Sequence, residues 1–281
     1  MTTSRTLVIG STGTVGSQIS DNLKRLGVDL VETTRDPQKT NDSTVFLDIL
    51  TQKGLATAFE NVDRAFLMSP PGYADQFATL SPLIQEAKKR KLKKVVLMTA
   101  YGADAQETTP FRRAEKELEN SGLEYNIIRP NWFFQNFNSY WIHSILTQNQ
   151  IRLPAGEARV SFIDARDIAA VATELLLKND HPRQAFNLTG GQSSTHHEVA
   201  EAITKATGRK ITYVDVPQDE LKAGLLAAGL SQEYAAFLLM IMGYLKEGYN
   251  AKISDSVVKV LKREPISLSQ YCTDYKKSWV K

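Results

Sequence analysis

Three glycines at three-residue spacing stand near the start of the chain, in Gly10-Ser-Thr-Gly-Thr-Val-Gly16. These residue types in this pattern suit one kind of chemistry. Glycine lets a backbone approach a pyrophosphate closely, and free backbone N–H groups with a helix dipole hold the anion. The whole run Gly10, Ser11, Thr12, Gly13, Thr14, Val15 and Gly16 is therefore a candidate dinucleotide cradle. The spacing is Gly-x-x-Gly-x-x-Gly, not the commoner Gly-x-Gly-x-x-Gly. Its surroundings carry the argument. Leu7, Val8 and Ile9 form the apolar run of a strand buried on both faces. A helical segment then runs to about Leu26 and is closed by Gly27.

The elements that must position such a turn alternate through the first half. Strands are expected at Val28–Thr33, Val45–Leu47, Val62–Met68, Lys94–Thr99 and Tyr125–Arg129. Helices are expected around Thr51–Glu60, Tyr73–Lys89 and Pro110–Asn120. This order predicts an α/β fold, a Rossmann-type doubly wound parallel sheet whose ligand lies beyond the carboxyl ends of the strands. After Pro130 the alternation loosens. Val160–Ile163, Phe186–Leu188 and Lys210–Val214 read as strands; Asp167–Lys178, Thr195–Thr207 and Asp219–Lys246 read as helical. The expectation is a nucleotide-binding domain over residues 1–152. Residues 153–281 would add one strand to the sheet and form a smaller, mainly helical lobe over the substrate.

Strand ends supply the other candidates. Sites for NAD place an acid at the tip of the second strand, whereas sites for NADP place an arginine there for the 2′-phosphate. Here the strand ends in Thr33-Thr34-Arg35. Arg35 has the planar fork that suits a phosphate, Lys39 adds a second charge, and Glu32 lies earlier in the strand. NADP(H) is the expected cofactor. Asp48 follows the third strand and is placed near the adenine. Ser69 follows the fourth and is placed along the ribose. Thr99 and Tyr101 follow the fifth. Asn131 follows the sixth, with Trp132, Phe133 and Phe134 as pocket walls or core.

Composition removes other classes. The net charge of +3 is too mild to imply a nucleic-acid partner. The basic run Lys88–Lys94 has no interleaved aromatics and reads as a solvated helix end. No apolar run approaches the ~20 residues that span a membrane. The single cysteine, Cys272, fits a reducing compartment. Met1-Thr-Thr-Ser-Arg5 is read as leaving no room for a signal peptide before the first strand, so a cytoplasmic location is expected. His143, His181, His196 and His197 show no metal-ligand spacing, and no metal is expected. There is no nucleophile elbow and no P-loop. Glu115 sits mid-helix and is expected to be exposed or salt-bridged.

Beyond the cradle, Arg35-Asp-Pro37, Arg129-Pro-Asn-Trp-Phe-Phe-Gln-Asn136, Phe162-Ile-Asp-Ala-Arg-Asp-Ile168 and Asn187-Leu-Thr-Gly190 carry a resemblance. Together they are similar to the NmrA-like branch of the atypical short-chain dehydrogenases/reductases, over nearly the whole chain. The resemblance implies that Arg35 contacts the 2′-phosphate and that Thr99 lies beside the nicotinamide ribose. The Tyr-x-x-x-Lys pair of typical members is absent: by the family's spacing Glu107 and Phe111 occupy its two places. Hydride transfer would then rest on positioning, with the proton from water or from Tyr101, which is otherwise a pocket wall. The helical stretch Leu221–Leu245, with Met240 and Tyr244, would cap an adaptable pocket. Two functions stay open: an NADPH-dependent reductase of a small conjugated acceptor such as a quinone, dye, imine or enone, and a redox sensor that binds NADP without turnover. The pattern leaves the oligomeric state open.

Overall fold

The protein is described by a computed structural model covering residues 5–280. The reading of no leader before the first strand rests partly on residues 1–4, which lie outside the described residues. In chain order the elements begin β1 (Arg5–Val8), α1 (Gly16–Arg25), β2 (Asp29–Thr34), β3 (Thr44–Phe46), α2 (Leu55–Ala58), β4 (Arg64–Met68) and α3 (Gln76–Lys89). They continue with β5 (Lys94–Met98), α4 (Pro110–Glu119), β6 (Tyr125–Pro130), α5 (Ile142–Gln148), β7 (Gln150–Leu153), α6 (Ala165–Leu177) and β8 (Gln184–Leu188). The last are α7 (His196–Thr207), β9 (Thr212–Asp215), α8 (Gln218–Ala227), α9 (Gln232–Lys246), α10 (Ser256–Leu261) and α11 (Leu268–Tyr275).

The chain forms two compact units. The first holds a seven-stranded sheet in the order β3-β2-β1-β4-β5-β6-β8, with every pair parallel. The strands are apolar on both faces because helices cover both: Leu7, Ala65, Phe66, Val95, Val96 and Ile127 are all fully buried. The order reverses between β1 and β4, the switch point where such sheets bind ligands. This is the Rossmann-type fold expected from the alternation.

The second unit comprises residues 131–164, 189–258 and 263–281. It is mainly helical, with a two-stranded parallel sheet of β7 and β9. Its core gathers Phe134, Phe137, Phe162, Tyr271 and Trp279. The first unit takes the residues up to Pro130 together with 165–188 and 259–262, so the chain passes into the second unit at Asn131. The reason is local: the Asn131 amide donates to Ser161 Oγ at 2.8 Å and to the Asn250 carbonyl at 2.9 Å, both in the second unit. The strand expected at Val160–Ile163 does not form. Val160 and Ile163 each make only one isolated bridge, to Ser194 and Phe133, and the Ser161 N–H turns to the Asn250 carbonyl.

The basic run also differs from expectation at one residue. Lys94 opens β5 and is buried, 3.5 Å from Glu124. Burial pulls its ammonium pKa down, and Glu124 opposes that.

His196 begins α7 inside a ring of aromatics: Phe137, Trp141, Phe162 and Tyr213 lie within 5.3–6.2 Å of its ring centre. Neither ring nitrogen finds a hydrogen-bond partner. Burial pushes its pKa down to about 4; His197 adds to this and Asp215 opposes it. In the unfolded chain a histidine titrates near 6.5. Between these values the unfolded chain binds a proton that the fold refuses, so stability falls as pH drops through that window. The full loss is roughly 3 kcal/mol. Urea unfolding of wild type and His196→Phe between pH 7 and pH 4 checks this: the variant is expected to lose that part of the pH slope, and an unchanged slope would refute the assignment.

Candidate dinucleotide-binding site

The turn after β1 is built by backbone contact. Gly10 lies at φ +73°, where side-chain-bearing residues are strained. Its carbonyl accepts from the Gly13 N–H at 2.9 Å. A Cβ placed on Gly16 would lie 2.1 Å from that same carbonyl oxygen, so α1 can start here only with glycine. A Cβ on Gly13 would meet the oxygen at 3.3 Å, a tight contact without overlap. Gly13 is therefore not demanded by the turn itself. Thr12, Gly13 and Thr14 are exposed, and no side chain caps α1 at Val15. The first-turn N–H groups of a helix lack intrahelical partners. The arrangement fits a pyrophosphate: a cradle closed to side chains, exposed amides and an uncapped helix start.

Ser11 serves the turn differently than expected. Its hydroxyl donates to the Thr33 carbonyl at 2.9 Å and accepts from the Thr33 N–H at 3.1 Å. The Gly10 N–H donates to Thr33 Oγ1 at 3.2 Å. The hydroxyl thus pins the cradle to the end of β2.

At that end the charges are sorted. Glu32 pairs with Lys24 of α1 at 2.8 Å, which withdraws the carboxylate from the strand tip. Asp36 accepts from the Gln38 N–H and lies 3.7 Å from Lys39. Arg35 is exposed, and among the described residues no hydrogen bond or ion pair holds its guanidinium. Asp48 accepts from the Leu50 and Thr51 N–H groups. Its carboxyl is held below the usual range first by the Thr51 hydroxyl, with Arg35 a smaller cause. Ser69, after β4, accepts from the Thr79 hydroxyl at 2.8 Å.

Beyond β5 lies a buried ionic network. The Thr99 hydroxyl donates to Glu115 Oε1 at 2.7 Å. Glu115 is fully buried. It accepts from Arg129 Nε and Nη2 at 2.8 and 2.7 Å, and from Arg112 Nη1 at 3.1 Å. Arg129 also reaches Asp104. Glu115 is salt-bridged as the sequence suggested, but inside the protein. The strand-end pattern alone assigns Arg129 no role. A charged residue following the apolar Ile127-Ile128 of a buried strand must find a partner, and that was the available signal. Glu107, at the tyrosine place of typical members, is exposed and pairs with Lys116 and Arg112. Phe111, at the lysine place, packs on the core.

Tyr101 is half-buried, and its N–H donates to the Pro130 carbonyl at 3.0 Å. Burial first, then the Asp104 charge, raise its phenol pKa above the ordinary value.

The remaining candidates lie in the second unit. The Asn131 side chain is saturated: besides its two donors, its oxygen accepts from the Trp132 N–H and from Asn250. Its side-chain amide is used entirely as a tie within the second unit. Phe134 is core, stacked on Tyr271 at 5.0 Å. Trp132 and Phe133 are half-buried, with Trp132 against Trp141. On α9, Met240 and Tyr244 are 49% and 45% exposed, while Met242 turns inward. No group of three His, Cys, Asp or Glu among the described residues could hold a metal ion.

A parallel sheet that reverses its order at β1 and β4, with a side-chain-free cradle at the reversal, defines a dinucleotide-binding protein of the Rossmann class. The NmrA-like family pattern matches residues 2–271, and the chain belongs to that family. It is 32% identical to an uncharacterized oxidoreductase of Bacillus subtilis, YesF, over 97% of this chain and 96% of that one. It is 30% identical to an NAD(P)H azoreductase of Xenophilus azovorans, over 94% and 96%. The fold matches Citrobacter sp. triphenylmethane reductase complexed with NADP(H), with a TM-score of 0.81 at 18% identity, over 97% of this chain and 99% of that one.

The two inner glycines separate in a mutational test. Gly16→Ala must move backbone and is expected to cost about 1–3 kcal/mol of stability. Gly13→Val, whose Cβ meets the oxygen at 3.3 Å instead of 2.1 Å, is expected to cost less stability than Gly16→Ala and to abolish dinucleotide binding. Melting curves and a fluorescence titration check both, and full binding by Gly13→Val would remove the cofactor from this turn.

Proposed function

We propose that the protein is an NADPH-dependent oxidoreductase that reduces a small conjugated, electron-poor acceptor such as a quinone, dye, imine or enone. The observation that carries this reading is Arg35. It is an unpaired guanidinium at the tip of β2, while the one acid on that strand near the tip, Glu32, is held by Lys24. That is the charge arrangement of a 2′-phosphate site. The naming of the B. subtilis and X. azovorans relatives as an oxidoreductase and an NAD(P)H azoreductase supports the reaction class.

NADPH, when bound, supplies the hydride. The chain's own residues do the rest. The Thr12 and Thr14 amides and the uncapped first turn of α1 hold the diphosphate, Arg35 holds the 2′-phosphate, and Asp48 and Ser69 flank the adenosine half. Tyr101 keeps its proton at neutral pH, since its pKa is raised. It can hydrogen-bond to an acceptor but is a weak acid. Trp132 and Phe133 are half-buried and supply apolar surface for a flat acceptor, and Met240 and Tyr244 are exposed apolar side chains of the same unit.

One observation favours a second reading, an NADP-binding regulator without turnover. The two places of the Tyr-x-x-x-Lys pair hold Glu107, tied into ion pairs, and Phe111, packed on the core.

A screen of NADPH oxidation against quinones, azo dyes, triphenylmethane dyes and imines separates them. Turnover with any of these acceptors supports the reductase; tight NADPH binding without oxidation supports the regulator. Arg35→Ala is expected to weaken NADPH by on the order of 1.5–3 kcal/mol and to leave NADH nearly unchanged. An unaltered preference would mean that another group selects the cofactor. Tyr101→Phe is expected to lower the rate only severalfold, since positioning carries the reaction. A loss of about a hundredfold or more would instead make Tyr101 a general acid.

A further inference from the structure

We infer that Glu115 is a positioning residue that fixes the proton of the Thr99 hydroxyl, so that Thr99 offers the nicotinamide ribose an acceptor and never a donor. This rests on the proposed NADPH site and adds a polarity to one of its contacts.

The argument is one of valence. A threonine hydroxyl has one proton and two lone pairs. The Thr99 hydroxyl is directed at Glu115 Oε1, 2.7 Å away. The carboxylate is fully buried, and four donors converge on its two oxygens: the Thr99 hydroxyl, Arg129 Nε, Arg129 Nη2 and Arg112 Nη1. A proton on Glu115 would have to displace one of these donors. Neither arginine can accept, so no member of the group can return a proton to Thr99. The backbone around Thr99 is also fixed, since its N–H donates to the Ile128 carbonyl at 2.9 Å. Thr99 is 5% exposed, and what its hydroxyl retains for a ligand is a lone pair.

The groups that complement it are donors, and a ribose hydroxyl is the donor nearest to hand on a nucleotide. Thr99 therefore cannot protonate the acceptor molecule. That task falls to Tyr101 or to water. A hydroxyl bonded to a charged acceptor is also more polarised, which strengthens its own acceptance.

The test reads binding and the proton itself. Thr99→Val is expected to weaken NADPH roughly fivefold to tenfold, as loss of one neutral hydrogen bond does. Thr99→Ser is expected to restore it. The affinity of 2′,5′-ADP, which lacks the nicotinamide ribose, is expected to stay unchanged in both. In Glu115→Gln the amide N–H₂ takes the Oε1 place, which serves Thr99 and one arginine donor, because the Oε2 place serves two, and the Thr99 hydroxyl proton is forced outward. That variant is expected to lose NADPH affinity as Thr99→Val does, and the double variant to be no worse than either. Additive losses would make Glu115 merely structural. A readout independent of that variant's folding is the Thr99 hydroxyl proton in the NMR spectrum of the wild type. It is expected to be protected from exchange and to persist when NADPH is added. Its disappearance on binding would show donation to the nucleotide and overturn the inference. Wild type that binds no NADPH would overturn the proposed function; normal NADPH affinity in Thr99→Val would overturn this inference alone.

Discussion

The site depends on one contact between two pieces of backbone, the approach of Gly16 to the Gly10 carbonyl. A Cβ there would stand 2.1 Å from the oxygen. Because there is none, α1 can begin against the turn that leaves β1. Its first N–H groups then face the space beside the switch point of the sheet. The same turn is anchored sideways by Ser11 and Thr33, which exchange two hydrogen bonds between the turn and β2. Position of the cradle and position of the β2 tip are thereby linked. A nucleotide spanning both finds them already arranged, which lowers the ordering cost of binding.

The second constraint is electrostatic. Arg129 and Glu115 are charges inside a sheet-and-helix layer, and removing one partner of such a pair costs about 3–5 kcal/mol. The pair survives because its geometry is two-pronged and because Thr99 and Arg112 fill the remaining acceptor sites. The network does two things for the site. It aligns the tips of β5 and β6, and it holds the hydroxyl of Thr99 in one orientation. Asp104, on the far prong of Arg129, also carries the charge that raises Tyr101.

What the sequence made legible follows from where the forces are local. The parallel strands announce themselves as apolar runs, and the glycine turn by its spacing and its place between strand and helix. The parts that needed coordinates are those whose partners are distant in the chain. Val160–Ile163 has strand composition, but no neighbouring strand is there to pair it. Asn131 stands at a strand end like a ligand group, yet Ser161 and Asn250 consume its amide. Phe134 looked like a pocket wall and stacks in a core on Tyr271, far along the chain. Lys94 belongs by sequence to a solvated basic run and by register to the buried start of β5, opposite Arg64. Glu115 and Arg129 are 14 residues apart on different elements, so only the fold brings them together.

The handling of charge at the β2 tip follows a single logic. A site for a phosphate must not neutralise its own cation. The acids flanking the tip have other partners: Glu32 has Lys24, Asp36 the Gln38 amide, and Asp48 the Leu50 and Thr51 amides. Arg35 is left as the available cation. It is also exposed, so ordering its long side chain costs about 1.5–2 kcal/mol. Charge-assisted bonds to a phosphate return about 1.5–3 kcal/mol each. One arginine making one or two such bonds therefore favours the phosphorylated nucleotide without forbidding the other. On the proposed reading, cofactor choice at this tip is a graded preference set by one exposed side chain.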